Sequence, residues 1–255
     1  MVPQKNSGVE HDFARDPIEA YVDGEWVKAR STTLGADNGI GCAMMMAVLE
    51  DDTIQHPAIE ALFTVDEEVG MDGANGLEKG FLEGTLMLNL DTEEEGELCI
   101  GCAGGRDVNV SFRYQPDTDI DKGDVAYKVS LRGLKGGHSG VQIHLGRANA
   151  NKLMNRFLKE VVSNYEARVA SIQGGSLRNA IPRESFAVLT IPEQLSDDLV
   201  DLVAEYESLF REDYAGIEEV ISFKAERTDM PAALLPVEMQ DDLINAVEGC
   251  HNGVV

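Results

Sequence analysis

Apolar positions along the chain follow two rhythms, and the change falls near Gly105. Before it, Tyr21-Val22 and Trp26-Val27 flank Asp23-Gly24 and predict a hairpin. A Gly-rich loop, Thr32 to Gly39, feeds a helix expected over about 40–50. Ala43, Met44, Met45, Met46, Ala47, Val48 and Leu49 make that helix apolar almost all round, which predicts burial. Apolar runs at 58–65 and 85–90 read as buried strands, the first ending in Asp66-Glu67-Glu68-Val69-Gly70 and the second in Asp91. Helix, buried strand, loop and buried strand are the order of an α/β domain with a mixed, mainly parallel sheet.

After Gly105 the rhythm is plainer. Val125, Tyr127, Val129 and Leu131 alternate as in a half-buried strand. A Gly-rich loop, Gly133 to Gly146, precedes a helix over about 147–167 with Leu153, Phe157, Val161 and Tyr165 at four-residue spacing. Strands follow near 169–172 and 185–191. A second amphipathic helix uses Leu195, Leu199, Val203, Tyr206 and Phe210, and a last strand lies near 219–225. This β-α-β-β-α-β order is that of a ferredoxin-like domain. The expected division is therefore 1–104 and 105–255. A further helix begins at Val237 without a clear terminal cap.

Charge changes the picture more than composition does. Hydrophobic residues are 43% and charged residues 26% of 255, ordinary for a globular protein, but the net charge is −25. The first 104 residues carry −17 of it. So acidic a chain repels phosphate backbones and anionic membranes, so nucleic-acid and membrane partners are not expected. No apolar stretch approaches the roughly 18 residues that cross a bilayer, and the first residues lack a signal-peptide core, so the expected location is cytoplasmic. Cys99 and Cys102 form a C-x-x-C without a second ligand pair, which favours a structural or incidental role.

Three acidic positions share one setting. Asp37 lies in a Gly-rich loop before a helix, while Glu67-Glu68 and Asp91 lie just past the ends of the two apolar runs. In parallel α/β sheets, ligands bind beyond the carboxyl ends of strands. Carboxylates gathered there repel unless cations sit between them. A single strand-end acid is ordinarily solvated surface charge, and Glu93, Glu94 and Glu95 read that way. In Lys135-Gly136-Gly137-His138-Ser139-Gly140, the glycines let backbone approach a ligand, and His138 is either an exposed loop residue or a donor to a developing oxyanion.

These tracts together resemble a known family. Thr33 to Gly39, Asp66 to Gly73, Asn89 to Gly96, Gly101 to Gly105 and Leu134 to Gly140 resemble the aminoacyl-histidine dipeptidase branch of the di-zinc metallopeptidases, a family that also holds aminoacylases and carboxypeptidase G. Asn149 to Leu153 and Leu177 to Glu184 add to the likeness, which extends to about Val220. The resemblance implies a zinc-peptidase-like catalytic domain over 1–104 and a lid over 105–255 through which the protein forms a homodimer. It implies two divalent ions, zinc foremost with cobalt or manganese as alternatives, and a small peptide substrate. Asp37 matches the carboxylate shared by both metals, Glu68 and Asp91 match one ligand of each, and Glu67 matches the general base. His138 matches the lid histidine that stabilises the tetrahedral intermediate, and Asn179 a lid residue near the substrate.

The departures are two. The family carries a His-x-Asp motif ahead of the segment resembling Met1 to Asn6, and a histidine ligand beyond the lid. Neither is in this sequence. The expectation is a chain cut at both ends, with Met1 an internal methionine. It would be poorly stable and inactive or nearly so, while a longer parent hydrolyses dipeptides. Two alternatives stay open: a related tripeptidase or aminoacylase, and a non-catalytic protein that dimerises through the lid and binds a divalent cation.

Overall fold

Among its described residues the first part of the chain builds one two-stranded ladder, one isolated bridge between Lys5 and Thr32, and two helices. The computed structural model describes residues 3–92, 96–101 and 104–254. The chain divides into two units, Met1–Gly104 and Gly105–Val255. In the first, β1 (Ala20–Asp23) and β2 (Trp26–Ala29) form the expected hairpin, with Val22 opposite Val27 and Asp23 opposite Trp26. Gly24 supplies the left-handed backbone the turn needs, at φ +62°. Helix α1 (Gly39–Glu50) starts where Asn38 caps it, the side-chain oxygen accepting from the Gly41 N–H at 3.0 Å. A single turn, α2 (Asp72–Asn75), follows.

Three expectations for this unit are corrected. Segments 58–65 and 85–90 form no strand, and every ladder among the described residues is antiparallel. The mainly parallel sheet is therefore not formed there. A strand exists through its neighbour's hydrogen bonds, and neither run has a partner in a ladder. Leu86, Met87 and Leu88 stand 94%, 83% and 89% exposed in consequence. Helix α1 is likewise not buried: Gly41 is its one buried residue, and Ile40, Met44, Met46 and Leu49 are exposed. Apolar sequence states what a segment would bury, not whether a covering layer is present.

The second unit packs two helices on one sheet. β3 (Asp124–Arg132) leads through β4 (Gly137–His138) to α3 (Ala150–Asn164) and β5 (Arg168–Gly174). Then come β6 (Ala180–Ile181), β7 (Ser185–Pro192), α4 (Ser196–Asp213), β8 (Ser222–Thr228) and α5 (Val237–Gly249). The main sheet has the order β5-β7-β3-β8, all antiparallel, which is the ferredoxin-like arrangement the rhythm predicts. Tyr127, Val129 and Leu131 sit opposite Leu189, Ala187 and Ser185, and these six are buried.

Helix α3 is set by its cap and its stripe. The Asn149 side chain accepts from the N–H groups of Asn151 and Lys152, and Leu153, Met154, Phe157, Leu158 and Val161 form one buried face. Phe157 meets Phe223 edge-on at 4.9 Å and Tyr206 at 5.4 Å between ring centroids. Buried Gln240 of α5 accepts from the Val169 N–H at 2.7 Å, which pins α5 to β5. No described helix is long and apolar enough to cross a membrane. Cys102 of the C-x-x-C and the run Glu93-Glu94-Glu95 lie outside the described residues.

Candidate active site

The two units carry separate groups of candidate residues. In the first, local geometry gathers acids from three segments. Asp37 is joined through a cis peptide to Asn38, whose side-chain N–H donates to the Leu90 carbonyl at 2.7 Å. That bond spans 52 positions and draws the loop of Asp37 to the residue preceding Asp91. Glu67 and Glu68 ride on a closed loop in which the Met71 N–H donates to the Asp66 carbonyl at 2.8 Å. The loop is tight because Gly73 lies against Val65: a Cβ there would come within 2.5 Å of the Val65 nitrogen.

The electrostatics follow. Glu67 is held above its ordinary carboxylate value of 4.5, first by partial burial, then by the charges of Glu68, Asp91 and Asp37. The sequence-expected acids thus act on one another. Their donor chemistry fits a divalent cation, since carboxylate oxygens suit calcium, magnesium or manganese. They do not fit a zinc centre. The set contains no nitrogen, and among the described residues no group of three or more His, Cys, Asp or Glu is placed to hold a metal ion.

In the second unit, His138 and Asn179 come together. β4 pairs with β6, with His138 opposite Ala180 and Gly137 opposite Ile181. The Ser139 N–H donates to the Asn179 carbonyl at 2.8 Å, and Ser139 Oγ donates to the Arg178 carbonyl at 3.0 Å. Arg178 in turn pairs with Asp107. His138 is exposed, but its ring is fixed: Nδ1 accepts from the N–H groups of Gly140 at 3.0 Å and Val141 at 3.2 Å. A nitrogen that accepts from two amides carries no proton, so in the neutral ring the proton sits on Nε2.

Three residues missed in the sequence hold this loop. Gln142 Oε1 accepts from the His138 N–H at 2.9 Å. Arg147 Nη1 donates to the Gly136 carbonyl at 2.7 Å and to Gln142 Oε1 at 3.2 Å. Glu218 reaches the same loop from 70 positions away. No local pattern marks any of the three, because each bonds at least one backbone group, which every residue shares. Beside the loop lies an open cleft of about 450 Å³ whose walls include Ser139, Asn149, Asn151, Arg178 and Pro182. That is within the usual range for small-ligand sites.

Comparison with known proteins gives this arrangement a context. Residues 129–218 match the peptidase dimerisation domain of the M20 type. Over all 255 residues the chain is 44% identical to the cytosol non-specific dipeptidase of Escherichia coli, of which it covers 52%. The crystal structure of aminoacylhistidine dipeptidase from Vibrio alginolyticus superposes with a TM-score of 0.61 at 44% identity, covering all of this chain and 52% of that one. An uncharacterised Bacillus subtilis protein, YqjE, is 25% identical over 202 residues, 74% of this chain and 49% of its own length. The chain spans about half the length of the curated relatives it matches.

Proposed function

We propose that the chain is part of an M20-type peptidase and carries the acidic residues and the lid of a dipeptide hydrolase. The substrate class is Xaa-His dipeptides of the carnosine type. The observation that carries the reading is electrostatic: the charges of Glu68, Asp91 and Asp37 all act on Glu67, and the Asn38–Leu90 bond holds the Asp37 loop to the residue before Asp91.

The residues divide the work. Glu67 is the base: its crowded surroundings favour proton uptake from the attacking water, and it returns that proton to the leaving amine. Asp37, Glu68 and Asp91 are the residues that would offer oxygens to divalent cations. When bound, such ions polarise the peptide carbonyl and acidify water. His138 offers Nε2–H to the oxyanion of the tetrahedral intermediate, because its Nδ1 is occupied as an acceptor. Asn179 lines the substrate beside it. The second unit, residues 105–255, serves as lid and as homodimer interface. The 255-residue chain alone is expected to hydrolyse dipeptides weakly or not at all, since the four acids supply oxygen only and among the described residues no three His, Cys, Asp or Glu are placed to hold a metal ion.

The test is a hybrid in which this chain replaces the matching segment of the Escherichia coli dipeptidase. The hybrid is assayed against a panel of dipeptides, tripeptides and acylated amino acids, with and without a chelator. Chelator-sensitive release of histidine from Xaa-His substrates supports the reading. Preference for tripeptides or acylated amino acids would reassign the substrate. A folded hybrid that binds cations, dimerises and cleaves nothing would leave a non-catalytic cation-binding protein.

A further inference from the structure

Glu218 is the one acidic residue buried in the second unit's interior among the described residues, at 8% exposed. It follows the last turn of α4, its own N–H donating to the Tyr214 carbonyl at 3.0 Å. A buried carboxylate is costly unless both oxygens are bonded. Here both are, and both partners are backbone amides. Oε2 accepts from the Lys135 N–H at 2.7 Å, and Oε1 accepts from the Ala148 N–H at 3.0 Å.

Those two amides bracket the loop that carries His138. The segment around Glu218 is also the seat for both ends of that loop. Gly133, at φ +90°, lies so close that a Cβ would sit 2.6 Å from the Val220 carbonyl oxygen. At the other end, Gly146 faces Ile217. From Ala148 the connection continues through its neighbour Arg147, whose guanidinium bonds Gly136 and Gln142, and from Gln142 to the His138 N–H. A surface ion pair between Lys135 and Glu219, at 3.1 Å, lies alongside.

We propose that Glu218 is a positioning residue for His138. By bonding the two ends of the 135–148 loop it fixes the spacing at which His138 Nδ1 accepts from Gly140 and Val141 and Nε2 carries the proton. The functional value of this clamp rests on the oxyanion role proposed for His138. The experiment below reads the ring rather than turnover, so failure of one idea is distinguishable from failure of the other.

The 255-residue chain is labelled with ¹⁵N-histidine, His138 is assigned by loss of its signals in H138Q, and amide exchange is followed in parallel. In the unsubstituted chain, His138 should show one unprotonated acceptor nitrogen at Nδ1 and a protonated Nε2. The Lys135 and Ala148 amides should exchange slowly. E218Q offers an amide group that can accept from one N–H but presents its own donors to the other. It should raise exchange at one or both amides at least about tenfold, as loss of a bond to a charged acceptor does, and turn His138 into a mixture of tautomers while β3 and β7 amides stay protected. R147M, which cuts the connection without touching Glu218, should disturb His138 while Lys135 and Ala148 remain protected, and it decides the matter if E218Q unfolds. Unchanged His138 nitrogens in R147M or in folded E218Q overturn the proposal, as do fast-exchanging Lys135 and Ala148 amides in the unsubstituted chain.

Discussion

Ser139 and Asn179 are joined backbone to backbone, the N–H of one donating to the carbonyl of the other at 2.8 Å. The pairing brings a loop histidine and a distant asparagine to one place without using either side chain. H138A should lower kcat in the hybrid by about 10²–10³, the cost of one oxyanion donor, with a modest loss of stability from the Gly140 and Val141 amides that its Nδ1 accepts from. N179A should act mainly on KM, by about tenfold, as loss of one contact to substrate does. Steady-state kinetics and thermal unfolding check both. A large fall in Tm for either variant would mean that its side chain, rather than its backbone, holds the loop.

The acids of the first unit should bind cations weakly and additively. Calorimetric titration with Mn²⁺ or Ca²⁺ is expected to give a Kd of about 10⁻⁴–10⁻³ M, the weak end of the range of oxygen-ligand calcium sites. D37N, E68Q or D91N should each weaken it about tenfold, and E78Q, on the same unit but outside the cluster, should leave it unchanged. Zinc should show no advantage, for lack of a nitrogen donor. Equal binding in all four variants would disprove a shared site.

A pH-dependent contribution comes from Asp117 and Arg168. The Arg168 guanidinium bonds the Asp117 carboxylate at 3.0 Å and holds it below its ordinary value of 3.8, helped by the Asp119 N–H. The depressed native value means the pair stabilises fully above the unfolded carboxyl range and loses that effect as pH falls through the lower native value. D117N should reduce Tm at pH 7, with the gap to the unsubstituted chain closing below about pH 4. A gap that persists at pH 2 would show that packing, not charge, is lost.

Stability of the second unit should depend on Phe157. It is fully buried and meets Phe223 and Tyr206 edge-on. F157A should cost about 3–5 kcal/mol, read by denaturant unfolding of the chain. I40A on exposed α1 should cost far less, below about 1 kcal/mol.

The two units differ in how much of them the sequence reveals. In the second, the alternation of Tyr127, Val129 and Leu131 and the spacing of Leu153, Phe157 and Val161 lead directly to the ferredoxin-like sheet and its helices. Both sides of each contact lie within the same 151 residues. In the first, the runs at 58–65 and 85–90 show the character of strands, but a ladder needs a second chain segment, and no pattern within a segment reports its partner. The candidate residues are legible as motifs. What holds them is not: Asn38 reaches Leu90, Gly73 closes on Val65, and Glu218 binds two amides, all contacts between distant positions.

The most direct test of the account is Glu67→Gln in the hybrid with the Escherichia coli dipeptidase, assayed by histidine release from carnosine. The account predicts that the unsubstituted hybrid turns over and that E67Q loses about 10²–10⁴ in kcat, the value of a positioned general base, with KM and fold retained. Turnover by E67Q within a few-fold of the unsubstituted hybrid would contradict it.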